Sequence, residues 1–226
     1  ASLEEVAAAA PGAPRWLQLY VHKDRSRSLA LIRRAEALGF SALVITVDAP
    51  TVGKRLTDVR AKVTASGGAG GAALLGSAPR SGSSAFEERL CWADLQWFAE
   101  ATELPILLKG VQCGGDAVLA RRAGVAGVVV SNHGGRNLDG CRPTLTILAE
   151  VTAALRRDAA GGAAPPPFEV LVDGGIREGV DIVRAVALGA TAVGVGRPAV
   201  YGLASFGQPG VEKVIGLLQS EMLTAM

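Results

Sequence analysis

Residues 131–139, Ser-Asn-His-Gly-Gly-Arg-Asn-Leu-Asp, are the part of this chain best equipped for chemistry. His133 follows the apolar run 127–130 directly, and Arg136 stands three residues later in glycine-rich backbone that allows a small ligand close. An imidazole titrates near neutral pH and suits a general base, while a guanidinium can clamp a carboxylate with two hydrogen bonds. The other histidine, His22, has no such neighbours and reads as structural.

Two further segments look built for an anion. Val172-Asp173-Gly174-Gly175-Ile176-Arg177 reads as a strand entering a glycine turn that opens a helix. Bare backbone amides and a helix N-terminus would face a phosphate there, with Arg177 supplying charge. The run Gly194-Val195-Gly196-Arg197-Pro198 repeats the arrangement one unit later. A single glycine turn is weak support for a ligand; two in succession point to a phosphorylated one.

These residues need strands and helices to position them. Apolar runs at 16–20, 42–47, 105–108, 127–130, 169–172 and 192–195 predict six strands. Most are continuous Val, Ile or Leu, as strands buried on both faces of a parallel sheet require. Helical periodicity is expected over 26–38, 94–102, 115–123, 144–157, 178–188 and 211–225, with Gly39 and Gly189 as left-handed terminators. Alternation of this kind predicts an α/β barrel, and each strand ends on a reactive or polar residue: Tyr20, Thr46 with Asp48, Lys109, Ser131 to His133, Asp173, and Gly196 with Arg197. In parallel barrels those carboxyl ends form the active face, and the loops after the last two strands commonly bind phosphate.

Composition narrows the rest. Of 226 residues, 49% are hydrophobic and 19% charged, which predicts one sizeable core and one domain over 1–226. A net charge of +2 gives no single-sign field to favour nucleic acid or a membrane, and no run approaches a membrane span. The three cysteines lack metal-site spacing, so no metal is expected and a reducing compartment fits. The glycine-rich stretch 65–84 reads as a flexible loop, either a linker or a lid over a site, and 159–167 as a proline-bearing surface connection.

Taken together, the chain resembles the FMN-dependent 2-hydroxy acid oxidase and dehydrogenase family, which includes glycolate oxidase and the flavocytochrome lactate dehydrogenases. The matching motifs are Gln18 to Arg25, Thr46 to Pro50 with Gly53 to Arg55, Leu108-Lys109-Gly110, Ser131 to Asp139, Asp173 to Arg177, and Gly196-Arg197-Pro198, in the family's order. Residues 20–22 and 90–98 look most like the vertebrate peroxisomal enzyme of the long-chain type.

The resemblance implies a (β/α)8 TIM barrel, of which this chain would supply strands 3 to 8 and lack the first two β/α units. It implies FMN as cofactor, a small L-2-hydroxy acid as substrate, oxygen as acceptor with release of peroxide, a homotetramer and a peroxisomal location. By the same resemblance His133 would take the substrate proton, by a hydride or a carbanion route. Asp48 would stabilise the imidazolium, Arg136 and Arg55 would hold the carboxylate, and Tyr20 would bond the substrate's oxygen atoms. Gln18, Thr46, Lys109 and Ser131 would meet the flavin ring. Asp173, Gly174, Gly175, Ile176, Arg177, Gly196 and Arg197 would hold the ribityl chain and phosphate. Two other readings fit the residues: an inactive truncated form of such an enzyme, and another phosphate-binding barrel such as an isomerase.

Overall fold

The computed structural model describes residues 1–51, 85–160 and 167–226. Arg55, the 65–84 loop and most of the 159–167 connection lie outside the described residues. The chain divides into two compact units, Ala1–Leu107 and Leu108–Met226.

The first unit holds α1 (Leu3–Ala9), β1 (Trp16–Leu19), α2 (Arg25–Ala37), β2 (Ala42–Thr46), α3 (Asp94–Ala101) and the start of β3 (Ile106–Val111). α1 has no counterpart in the expected elements, although its signal was available: Ser2 and Glu5 form a reciprocal capping box. β1 pairs parallel with β2, Trp16 opposite Ala42. β2 is buried throughout, whereas β1 alternates, with Leu17 and Leu19 inward. The nitrogen of Leu43 donates to the Pro105 carbonyl at 2.9 Å, just ahead of β3.

The second unit continues β3 and adds α4 (Gly114–Arg122), β4 (Gly127–Val130), a short 3-10 turn (His133–Gly135), α5 (Thr144–Ala159), β5 (Glu169–Asp173), α6 (Gly179–Ala187), β6 (Ala192–Gly194) and α7 (Arg197–Ala225). β4 pairs parallel with β5, and β5 with β6. β4 is wholly buried, but β6 is largely exposed, against the expectation of burial on both faces.

One local device recurs at three of the places where a helix hands over to a strand. After α2, α4 and α6 a glycine takes a left-handed φ: Gly39 at 72°, Gly124 at 81° and Gly189 at 103°. At each end the glycine N–H and that of the next residue turn back onto helix carbonyls, for example Gly39 to Glu36 and Phe40 to Ala35, both at 3.0 Å. This is the Schellman geometry, and it presses Phe40, Val125 and Ala190 into the core two residues ahead of the following strand.

Two expectations are corrected. β3 runs on to Val111, so Lys109 sits within the strand rather than at its tip. α7 starts at Arg197 instead of 211, because Pro198 occupies the first helical turn, where its missing N–H costs nothing. The helix is kinked ahead of residue 211: Gly207 has φ 65° and ψ −147°, with Pro209 just beyond it. α6 is held against the far end of α7 at Gly179, where an added Cβ would lie 2.5 Å from the Leu218 carbonyl and would also strike the Met222 nitrogen. Among the described residues no helix is long and apolar enough to cross a membrane.

Candidate active site

In the first unit, β1 and β2 present their C-terminal residues side by side. The Gln18 amide donates to the Thr46 hydroxyl at 2.6 Å, so two residues expected at the flavin ring are already joined. Tyr20 and Thr46 line a small cleft of about 180 Å³ with Phe86, whose ring centroid is 5.3 Å from that of Tyr20. Phe86 was not singled out from the sequence, because it follows an aperiodic stretch; a lone aromatic there was the available signal. Asp48 lies two residues beyond β2.

His22 is structural, as expected. It is buried, and its ring packs against Phe86 at 5.2 Å between centroids. Its Nδ1 is buried without a hydrogen-bond partner. Burial, reinforced by the Arg27 charge and opposed by Asp24, lowers its pKa below the ordinary 6.5. An unfolded chain therefore binds the proton before the folded one does, so this contribution to stability is present above about pH 6.5 and is lost as pH falls. The urea midpoint of the wild type is expected to drop between about pH 7.5 and 5.5 more steeply than that of His22→Gln. Parallel pH profiles would count against burial of a neutral His22.

In the second unit, all but one of the residues singled out from the sequence line one cleft of about 770 Å³. Lys109 enters from β3, His133 and Arg136 from the turn after β4, the Asp173–Arg177 run from the end of β5, and Gly196 with Arg197 from the start of α7. The exception, Ser131, is fully buried beneath it. The Ser131 hydroxyl accepts from Lys109 Nζ and from the His133 backbone N–H, each at 3.0 Å. Lys109 Nζ also lies 3.1 Å from Asp173 Oδ2. The other Asp173 oxygen is buried without a partner.

His133 is the one non-glycine residue of the described set with positive φ, 57°, and it leads a left-handed run through Gly134 at 65° and Gly135 at 70°. Such backbone is disfavoured for an L-residue, although histidine tolerates it better than most. Bonds from Gly135 N to Asn132 O at 3.0 Å and from Arg136 N to His133 O at 3.3 Å close the turn. The glycines of the next turn, which also line the cleft, have φ 84° at Gly174 and 87° at Gly175, a conformation that glycine adopts without strain. Thr144, unnoticed in the sequence, donates to the Gly174 carbonyl at 2.7 Å and ties this turn to α5. Tyr201, on the first turns of α7, was also missed as a lining residue, since α7 itself was expected to begin later.

Asp48, Tyr20, Thr46 and Gln18 belong to the first unit, and the cleft residues to the second. An imidazole, a guanidinium and two glycine turns with arginines thus share one cleft, groups able by their chemistry to move a proton and to hold anions.

Known proteins resemble the chain in sequence and in fold. The chain is 43% identical over 230 residues to 2-hydroxyacid oxidase 2 of Bos taurus, covering 100% of this chain and 63% of that protein. It is 43% identical over 234 residues to a peroxisomal (S)-2-hydroxyacid oxidase of Arabidopsis thaliana, covering 100% and 62%. Among solved structures, the flavin-binding domain of baker's yeast flavocytochrome b2 superposes with a TM-score of 0.86 at 39% identity, covering 100% of this chain and 54% of that one. The chain therefore spans less than two thirds of the proteins it matches, in a parallel α/β fold that it shares with them. With residues 1–226 matched end to end by the model of that family, the chain belongs to the FMN-dependent dehydrogenases.

Proposed function

We propose that the protein oxidises L-2-hydroxy acids to 2-oxo acids with FMN, and that oxygen restores the flavin with release of hydrogen peroxide. The observation that carries this reading is the single cleft shared by His133, Arg136 and the two glycine-arginine turns. The fit to FMN rests on this chain's own residues. A cleft of about 770 Å³ is ample for part of a flavin nucleotide. The unpartnered buried oxygen of Asp173 is an acceptor suited to a ribityl hydroxyl. The amides of Gly174 and Gly175, with Arg177 and Arg197, suit its phosphate.

When bound, FMN supplies the two-electron acceptor. His133 receives the proton that leaves the substrate. Asp48, as the family resemblance assigns it, favours the cationic imidazole. Arg136 and Arg55 hold the carboxylate, and Tyr20 bonds the substrate's oxygen atoms. Lys109 places positive charge where an electron-rich ring edge would lie, and Gln18, Thr46 and Ser131 supply polar contacts to that ring. We read the fold as strands 3 to 8 of an eight-stranded barrel, the assembly as the homotetramer that the family resemblance implies, and the location as the peroxisome named for some of its relatives.

The test is direct. An L-2-hydroxy acid added without air to the flavin-loaded full-length protein should bleach the flavin absorbance band, and admitting oxygen should restore it with one peroxide per turnover. A loaded protein that stays yellow with short-chain, long-chain and aromatic L-2-hydroxy acids alike does not have this activity.

A further inference from the structure

Arg197 makes a contact that an anion cradle does not need. Its Nη2 donates to the carbonyl oxygen of Gly134 at 2.9 Å, across 63 positions of sequence. Gly134 is the middle residue of the left-handed run that carries His133. A Cβ built on Gly134 would lie 3.5 Å from the same Nη2, so the guanidinium rests alongside the turn itself.

The turn has reason to need an outside hold. Three successive left-handed residues are closed by two backbone bonds of 3.0 and 3.3 Å. Backbone of this kind persists where its surroundings constrain it. Ser131 constrains the start of the run through the His133 amide, and Arg197 constrains its middle through the Gly134 carbonyl.

Arg197 also stands at the first position of α7, beside the backbone of Gly196, and lines the large cleft. Its planar fork has five N–H donors, so a bond to Gly134 leaves others for an oxyanion. The side chain is exposed, and an exposed arginine samples many rotamers, which weakens any one bond that it makes. A bound anion would remove that freedom.

We propose that Arg197 is a positioning residue for His133 as well as an anion ligand, so that a phosphate seated in the cradle tightens the catalytic turn through the Gly134 carbonyl. Filling the cradle then stiffens the segment that holds the base, and by linkage a loosened turn weakens phosphate binding to the same degree. The idea rests on the proposed role of His133 only where turnover is concerned.

Hydrogen exchange of the segment 131–138, followed by mass spectrometry in the full-length protein, tests it. In the wild type, saturating inorganic phosphate and saturating FMN should each slow exchange of this segment several-fold. Arg197→Lys keeps the charge and loses the fork, so its exchange should no longer respond, even at ligand concentrations that saturate it. Arg177→Lys should weaken the ligand yet keep the response once saturated. With FMN saturating, Arg197→Lys should lose at least about tenfold in kcat with KM for the hydroxy acid little changed. Wild-type exchange indifferent to both ligands overturns the proposal, and so does a saturated Arg197→Lys protein with wild-type protection and kcat. Absence of hydroxy acid oxidation in the wild type would refute the proposed activity alone, because the exchange response reads the coupling without any substrate.

Discussion

Replacing His133 by asparagine is expected to cut hydroxy acid turnover by about a thousandfold or more while the flavin stays bound. Asparagine is also tolerated in left-handed backbone, so the turn that carries it should survive. The loss corresponds to about 4 kcal/mol of transition-state stabilisation, within reach of a general base that has no substitute. Two companion variants separate chemistry from fold. The backbone at His133 has φ 57°, where an L-residue is strained by roughly 1–2 kcal/mol and glycine is not. His133→Gly should therefore unfold at higher denaturant than His133→Ala, by about 1 kcal/mol after allowing for the looser unfolded chain of glycine. Both should be inactive. Equal stabilities would mean that the left-handed conformation is not retained in solution, and turnover near the wild-type value in any of the three would remove His133 from its role.

The second large effect concerns Lys109. Its side chain is 19% exposed and that of Asp173 24%, with Nζ and Oδ2 3.1 Å apart. One Asp173 oxygen is already buried without a partner. Lys109→Met would leave the whole carboxylate without its counter-charge in a largely dry place. Breaking a buried pair from one side costs about 3–5 kcal/mol; the residual exposure places this one nearer 2–4. The flavin should bind weakly or not at all. Adding Asp173→Asn to Lys109→Met removes the stranded charge and should recover most of the lost stability, although not the flavin. Urea unfolding of both single variants and the double forms a closed cycle. Additive losses would show that the two groups do not depend on each other.

How much of this was readable in advance depended on whether the signal was local. The strand 127–130 is Gly followed by three valines, and it was placed to the residue because a short β-branched run admits few other structures. The ends of α2 and α6 were placed by Gly39 and Gly189, since a left-handed terminator is a requirement on one residue and its neighbours. The start of α7 failed for the opposite reason. Exposed apolar residues such as Val200, Tyr201 and Phe206 give no amphipathic period, so the segment before Gly207 did not look helical.

The site divides the same way. That His133, Arg136, Asp173 and Arg177 would share one mouth follows from strand ends in a parallel fold. That Ser131 would lie beneath the cleft and link Lys109 to the His133 amide depends on where β3 and β4 sit, which no residue type announces. The left-handed φ of His133 was equally hidden, because the two glycines after it would permit the turn without forcing the histidine into it.

Gly179, where α6 begins, bears on how relatives of this chain should be read. Any side chain there would have to displace the backbone of α7 at Leu218 and Met222, so every possible replacement is an enlargement with nowhere to go. Lineages that keep this helix pairing would retain glycine whatever acid they oxidise, and its invariance would record architecture alone. The neighbouring Arg177, two residues earlier and lining the cleft, is the better place to look for ancestry shaped by ligand choice.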